Sequence, residues 1–318
     1  MSTLVTGAAG LIGSHLCELL LSEGEDTAGM DNLSFGNHDT VIDIEQIEGP
    51  ADWDFRRGDV NNINRVWRKA ETFSNIVHLA SYKKVWDGSI KSSEIMDINF
   101  NMTKAVVDRC LSDNSKLIFA STSDIYGNSK TFSEDEPITM GPPTNIRYSY
   151  ALSKWHSEQY ILNCVKEQNL NAVIVRIFGC ASPRSNRSWS GGHVPLFIDK
   201  AIKGETIEIH GDGLQTRSIS HAKDIAAGIF DCMAAESGEI INIGTDQETT
   251  VRYVAEYIIK KLKSKSNIQF IPKEKIFGNY NEINRRFANT EKAKRLFNYQ
   301  INYTTEQVID EMVESYLK

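Results

Sequence analysis

The sequence predicts an α/β protein: a doubly wound parallel sheet with a smaller C-terminal α/β domain. Three observations predict it. Short apolar runs alternate with longer amphipathic stretches through the first half of the chain. A glycine-rich turn joins the first apolar run to the first amphipathic one. The 318 residues, 41% hydrophobic and 24% charged, have the balance of a soluble globular chain able to bury a large core.

The elements follow in order. Thr3–Thr6 reads as a strand and Leu11–Glu23 as a helix. Glu25–Met30 is a weaker strand ending at Asp31, and Trp53–Arg57 and Asn75–Leu79 are further strands. Ile90–Cys110 reads as a long helix, Lys116–Ser121 as a buried strand, Tyr148–Gln168 as a second long helix and Ala172–Ile177 as a strand. Strands and helices taking turns imply a parallel sheet covered on both faces. The second half is less regular. It predicts helices over Gly191–Lys203, His221–Ala235 and Thr250–Lys261, and strands over Thr206–Ile209 and Ile240–Ile243. Arg184–Gly192 and Phe277–Asn281 read as loops of the kind that shape pockets.

Composition excludes several classes. A formal charge of −7 argues against a general nucleic-acid surface. No apolar run approaches the roughly 18–20 residues a membrane helix needs. The first residues enter a strand without a signal-like segment, which predicts a cytoplasmic protein. Cys17, Cys110, Cys164, Cys180 and Cys232 show no paired spacing, so free thiols and no metal site are expected. Lys260–Lys265 reads as a solvated helix end.

Gly7, Gly10 and Gly13 form G-x-x-G-x-x-G at the strand–turn–helix junction. A tight turn, close backbone approach to a pyrophosphate and close helix packing each require glycine there. The helix start at Leu11 and Ile12 then offers N–H groups and a positive dipole end to phosphates. Asp31 lies 18 residues after Gly13, at the end of the second strand. A carboxylate there accepts from ribose hydroxyls and repels a 2′-phosphate, so NAD is expected over NADP. Asn32 and Val60 belong to the same predicted cofactor wall. Asp59 either reaches the adenine or is a surface-turn residue.

Tyr150 and Lys154 form Y-x-x-x-K within the helical stretch Arg147–Gln159. That spacing places both on one helix face. Ionising a free tyrosine at neutral pH costs roughly 4 kcal/mol, and nearby positive charge lowers that cost. The phenolate would then take a proton from a hydroxyl as hydride leaves the same carbon. Thr122, at the end of the strand Lys116–Ser121, is placed to share that proton. Tyr148 lacks the spacing and reads as a packing residue.

With these pieces in place, the chain resembles the NAD-dependent epimerase/dehydratase family, the extended short-chain dehydrogenases, over nearly its whole length. Val5-Thr-Gly-Ala-Ala-Gly-Leu-Ile-Gly13 resembles the nucleotide fingerprint, and Asp31-Asn-Leu33 the ribose turn. His78-Leu79-Ala80 resembles the strand end beside the cofactor, and Asn99 matches a helix asparagine. Thr122, Tyr150 and Lys154 match the catalytic trio. His210-Gly-Asp-Gly-Leu-Gln-Thr-Arg-Ser218 is similar to a substrate-domain segment whose arginine, here Arg217, holds the sugar diphosphate. Asn284-Arg-Arg-Phe-Ala-Asn289 resembles a late arginine motif in which Arg286 aligns better. Either arginine could instead form a surface ion pair.

Two positions bear on reaction type. Lys83 matches a cofactor-contacting lysine of UDP-glucose 4-epimerases and is also a candidate substrate contact. Asp124 sits where some dehydratases and UDP-glucuronate decarboxylases carry an acid, or is a turn residue. The chain departs from the family at Gly179, where an asparagine is common, and at Ala181-Ser-Pro183, which replaces Tyr-Gly-Pro. The Asn186–His193 loop is not a general family feature and is expected to touch the sugar or the base.

The resemblance implies a Rossmann-type NAD domain over 1–175 and a mainly substrate-binding part over 176–318, some of which returns to the first. It implies bound NAD, a nucleotide-sugar substrate and a homodimer paired through the two long helices. A 4-epimerase, working through a 4-keto intermediate, ranks first. A 4,6-dehydratase or UDP-glucuronate decarboxylase comes next, then a net C4 dehydrogenase, and last a non-catalytic NAD-binding regulator.

Overall fold

The computed structural model describes residues 2–68, 70–83, 91–141, 148–187, 192–272 and 283–318. Ile90, Arg147, Gly191 and the Phe277–Asn281 loop lie outside the described residues, as does part of the 184–192 loop.

The first half contributes strands β1 (Ser2–Thr6), β2 (Asp26–Asp31), β3 (Trp53–Arg57), β4 (Asn75–His78), β5 (Lys116–Thr122) and β6 (Ala172–Ile177). Between them lie helices α1 (Leu11–Ser22), α2 (His38–Glu45), α3 (Ile63–Val66), α4 (Ser92–Asp113) and α5 (Ser149–Gln168). The second half adds strands β7 (Cys180–Ala181), β8 (Ile207–His210), β9 (Thr216–Arg217), β10 (Ser220–His221), β11 (Ile240–Ile243), β12 (Thr249–Thr250), β13 (Ile268–Ile271) and β14 (Arg285–Arg286). Its helices are α6 (His193–Lys203), α7 (Ala222–Cys232), α8 (Val251–Leu262), α9 (Glu291–Phe297) and α10 (Thr305–Leu317).

Seven strands form one parallel sheet in the order β11-β6-β5-β4-β1-β2-β3. The doubly wound sheet is therefore as expected. Its strand order reverses between β4 and β1, and the crevice outside that switch point is where such sheets bind ligands. β6 runs through the expected boundary at 175/176, and β11 returns to the sheet from the second half.

The two faces are covered differently. Leu16 and Leu20 of α1 pack with Ile225 and Ile229 of α7 on one side. Val106 and Cys110 of α4 pack with Ile161 and Cys164 of α5 on the other. Each large aliphatic side chain fully buried this way contributes about 1.5–3 kcal/mol. A third apolar core holds the C-terminal body together, joining Phe197 of α6, Val254 and Ile258 of α8 and Met312 of α10. The five cysteines are free, and all but half-buried Cys180 are buried. Lys260 and Lys261 close the last turn of α8, where positive charge suits the helix dipole.

Helix ends follow local chemistry. Asn114, Asn169 and Asn298 end α4, α5 and α9 in the left-handed conformation, which asparagine tolerates better than most residues. Thr304 and Gln307 form a capping box that starts α10.

Candidate active site

A cleft of about 730 Å³ opens at the switch point. Its cofactor wall is largely backbone. Gly7 has φ +74°, and a Cβ on it would lie 2.8 Å from the Ala80 amide nitrogen. A Cβ on Gly13 would lie 2.1 Å from the Gly7 carbonyl oxygen, so only glycine lets α1 start this close to the sheet. Gly10 caps α1 without a side-chain hydrogen bond, and no acid stands in the first turn. The N–H groups and positive dipole end are left for an anion.

Asp31 closes the far end of this wall. Its Oδ2 accepts from the Ala9 N–H at 3.1 Å and its Oδ1 from the Leu33 N–H at 2.8 Å. The carboxylate is locked to the glycine turn. Burial pushes its pKa up, and these backbone hydrogen bonds pull it back down. Asn32, Val60, Leu79, Ala80 and Lys83 also line the cleft, with Gly10, Leu11 and Ile12. The residues present fit NAD: a phosphate cradle that a Cβ would fill, facing a fixed carboxylate.

Thr122, Asp124, Tyr150, Lys154 and Arg286 line the other end. Thr122 ends β5, and its hydroxyl accepts from the Asp124 N–H at 3.2 Å. Tyr150 forms hydrogen bonds with Thr122 and Ser81. Burial pushes its phenol up to about 12, and those hydrogen bonds oppose the rise. Lys154 is buried on the same face of α5, and its Nζ donates to the Ala120 carbonyl at 2.8 Å. Burial pulls its ammonium down to about 7, and the Glu158 carboxylate works against that fall. Buried His78 falls to about 3, through burial and then the Lys154 charge. Positive charge entering the cleft near Tyr150 would favour its phenolate. The Arg286 Nη1 donates to the Asp124 Oδ1, which makes an ion pair on the cleft wall.

Three predicted contacts stand elsewhere. Asp59 does not line the cleft. It caps a short turn, accepting from the Asn61 N–H at 2.8 Å. Asn99 is buried behind the wall, with 2% of its surface exposed. It accepts from the Tyr82 N–H at 2.8 Å, and its amide donates to the Tyr82 carbonyl at 2.9 Å and the Ser153 hydroxyl at 3.1 Å. It thus shapes the 81–82 loop of the cleft wall. Arg217 lies on β9 beyond the cleft lining and donates to the Thr216 carbonyl at 2.7 Å. Tyr148 is buried packing, as expected.

Sequence reasoning missed others. Ser81, immediately after His78-Leu79-Ala80, reaches Tyr150. Phe35 lines the cleft and packs edge-on to Tyr82 at 5.4 Å. Arg184 lines it too and reaches across to α1. Its Nη2 donates to Glu18 at 2.5 Å, while its buried Nη1 has no partner among the described residues. Gly179 also gains a reason. A Cβ there would lie 2.1 Å from the Ser218 carbonyl oxygen, so asparagine does not fit this chain packing.

The model of the NAD dependent epimerase/dehydratase family matches residues 3–244. The chain belongs to this family. Membership makes it an NAD-dependent enzyme of the epimerase/dehydratase type, in accord with the cradle around Gly7 and Gly13. It is 32% identical to a UDP-N-acetyl-alpha-D-glucosaminuronate decarboxylase of Bacillus cytotoxicus, over 98% of this chain and 96% of that one. It is 30% identical to a putative UDP-glucose 4-epimerase of Methanocaldococcus jannaschii, over 80% of each chain. A dTDP-glucose 4,6-dehydratase of Bacillus anthracis, solved in complex with NAD, superposes with a TM-score of 0.84 at 27% identity. That match covers 100% of this chain and 96% of the dehydratase. Relatives named for three different reactions thus match most of this chain. No described helix is long and apolar enough to cross a membrane, and no metal-binding cluster occurs among the described residues.

Proposed function

We propose that the protein is an NAD-dependent decarboxylase of a UDP-linked hexuronic acid, acting through a 4-keto intermediate. This reorders the sequence reading, which ranked a 4-epimerase first. The observation that carries it is the Asp124–Arg286 pair on the cleft wall beside Thr122 and Tyr150. An epimerase needs no charged pair beside the oxidised carbon, whereas a uronate brings a carboxylate there. The Bacillus cytotoxicus relative supports the same reading.

NAD, which the Gly7–Gly13 turn and Asp31 would hold, would supply the acceptor and donor for the sugar C4 hydride. Tyr150, as phenolate, takes the C4 hydroxyl proton. Lys154 holds the phenolate by charge. Thr122 donates a hydrogen bond to the same oxygen. The ketone at C4 is β to the C6 carboxylate. The C5–C6 bond breaks, carbon dioxide leaves, and the electron pair moves into an enolate on the C4 oxygen. Tyr150 and Thr122 stabilise that oxyanion. Arg286 orients the departing carboxylate, and C5 takes its proton from a solvent water that the Asp124 carboxylate positions, the hydroxide left behind combining with the carbon dioxide as bicarbonate. As C4 is reduced again, Tyr150 returns its proton to the oxygen.

A 4-epimerase is the second reading, favoured by Lys83 in the cleft lining. The deciding test incubates the enzyme and NAD with UDP-glucuronate, UDP-N-acetylglucosaminuronate, UDP-glucose and UDP-N-acetylglucosamine in heavy water. Carbon dioxide release with deuterium at C5 is expected from a uronate. An isomer without carbon-bound deuterium would replace this reading with the epimerase, and loss of water with the dehydratase.

We place the reaction in the cytoplasm, because a reducing compartment keeps five thiols free. We also infer a homodimer through α4 and α5. Phe100 stacks on His156 at 4.0 Å and meets Tyr160 at 5.4 Å, so an aromatic cluster spans the two helices. Sedimentation as a dimer is expected, and a monomer at micromolar concentration would contradict it.

A further inference from the structure

The groups at the reacting end come from four chain segments. β5 carries Thr122, the turn after it Asp124, α5 both Tyr150 and Lys154, and β14 Arg286. One buried polar network runs behind all four. Glu158 stands one turn after Lys154 on α5 and is 0% exposed. It accepts from the Ser121 hydroxyl, immediately before Thr122. Arg176 of β6 grips it twice, Nε donating at 3.1 Å and Nη2 at 2.8 Å. Arg176 Nη1 donates to the Tyr126 hydroxyl at 3.1 Å, two residues beyond Asp124. That hydroxyl donates to Asn242 Oδ1 at 2.8 Å. The Asn242 amide donates to the Asn289 carbonyl at 3.1 Å, three residues beyond Arg286.

A buried ion pair is a weak source of stability, because desolvation offsets much of its attraction. Here it instead fixes distances between segments that are remote in sequence. We propose that Glu158 is a positioning residue: through Ser121 and Arg176 it holds the strand end that carries Thr122 against the helix turn that carries Tyr150 and Lys154. Its charge has a second effect in the same direction, since it favours the ammonium form of Lys154.

The inference rests on Tyr150 and Lys154 being the reacting pair, so Y150F is measured alongside. Retained turnover in Y150F would sink that assignment and this one with it. E158Q keeps the shape and removes the charge. S121A removes one hydroxyl and leaves no charge unpaired, so it folds even if E158Q does not. A misplacement of about 1 Å costs about a hundredfold in rate. Both variants are therefore expected to lose about tenfold to a hundredfold in kcat, with sugar-nucleotide KM and NAD affinity kept within about threefold. In E158Q the alkaline limb of the kcat profile should also move to lower pH, because Lys154 loses its proton more readily. A purely stabilising role would lower Tm and leave kcat and that limb unchanged. Wild-type kcat in S121A, or an unmoved alkaline limb in folded E158Q, would overturn the proposal.

Discussion

The two ends of the cleft are built by opposite means. The cofactor end is backbone: three glycines within seven residues, a helix start and one carboxylate locked to the turn. The reacting end is side chains drawn from distant segments, and its ion pair joins residues 162 positions apart. A backbone cradle tolerates little change, because a Cβ on Gly7 or Gly13 would close it. A side-chain constellation can change its chemistry by one substitution while the cradle stays. Family members with decarboxylase, epimerase and dehydratase names match this chain over most of its length.

Substitutions at the two ends test this difference. The largest effect is expected at Tyr150. Y150F should cut turnover by about a thousandfold or more, while NAD content of the purified enzyme is unchanged. Next comes the cradle. G13A places a carbon 2.1 Å from the Gly7 oxygen. It should weaken NAD binding by about a hundredfold, close to 3 kcal/mol, when titrated calorimetrically. At the reacting end D124N should separate the steps. Cofactor reduction, read by absorbance, should continue, while carbon dioxide release slows by about a hundredfold. Equal slowing of both steps would place Asp124 before the oxidation.

The smallest effect concerns stability. Buried His78 has its folded-state pKa held at about 3, against 6.5 when unfolded. The unfolded chain therefore binds the extra proton between those values, and the native state does not. The stability this contributes is complete above pH 6.5 and falls as pH drops towards 3, by about 1.4 kcal/mol per unit. H78N should flatten the dependence of urea-unfolding stability on pH in that window. An unchanged slope would mean that His78 is protonated in the folded protein.

The same contrast decides what was legible in the sequence. The glycine turn, Asp31 and the Tyr150–Lys154 pair are each local, fixed by short-range geometry, and each lines the cleft. The central strands were legible for a related reason, since strands covered on both faces are short apolar runs between helices. Helix α2 was not, because its sequence His-Asp-Thr-Val-Ile-Asp-Ile-Glu has only three buried positions. Helix α10 was missed although its Thr304–Gln307 capping box was readable. That Asn99 fixes the 81–82 loop was not legible, because a motif match names a residue without saying what it hydrogen-bonds. The Asp124–Arg286 pair could not be read as a pair at all. Neither residue predicts the other until β5 and β14 are brought to one cleft.

The most direct test follows the substrate carboxyl carbon. UDP-N-acetylglucosaminuronate, isotope-labelled at C6, is incubated with enzyme and NAD in heavy water, and gas and nucleotide products are read by mass spectrometry and NMR. Labelled carbon dioxide is expected in proportion to a pentose product carrying one deuterium at C5. Turnover of UDP-glucose or UDP-N-acetylglucosamine to its C4 isomer, with the label of the uronate retained, would contradict it.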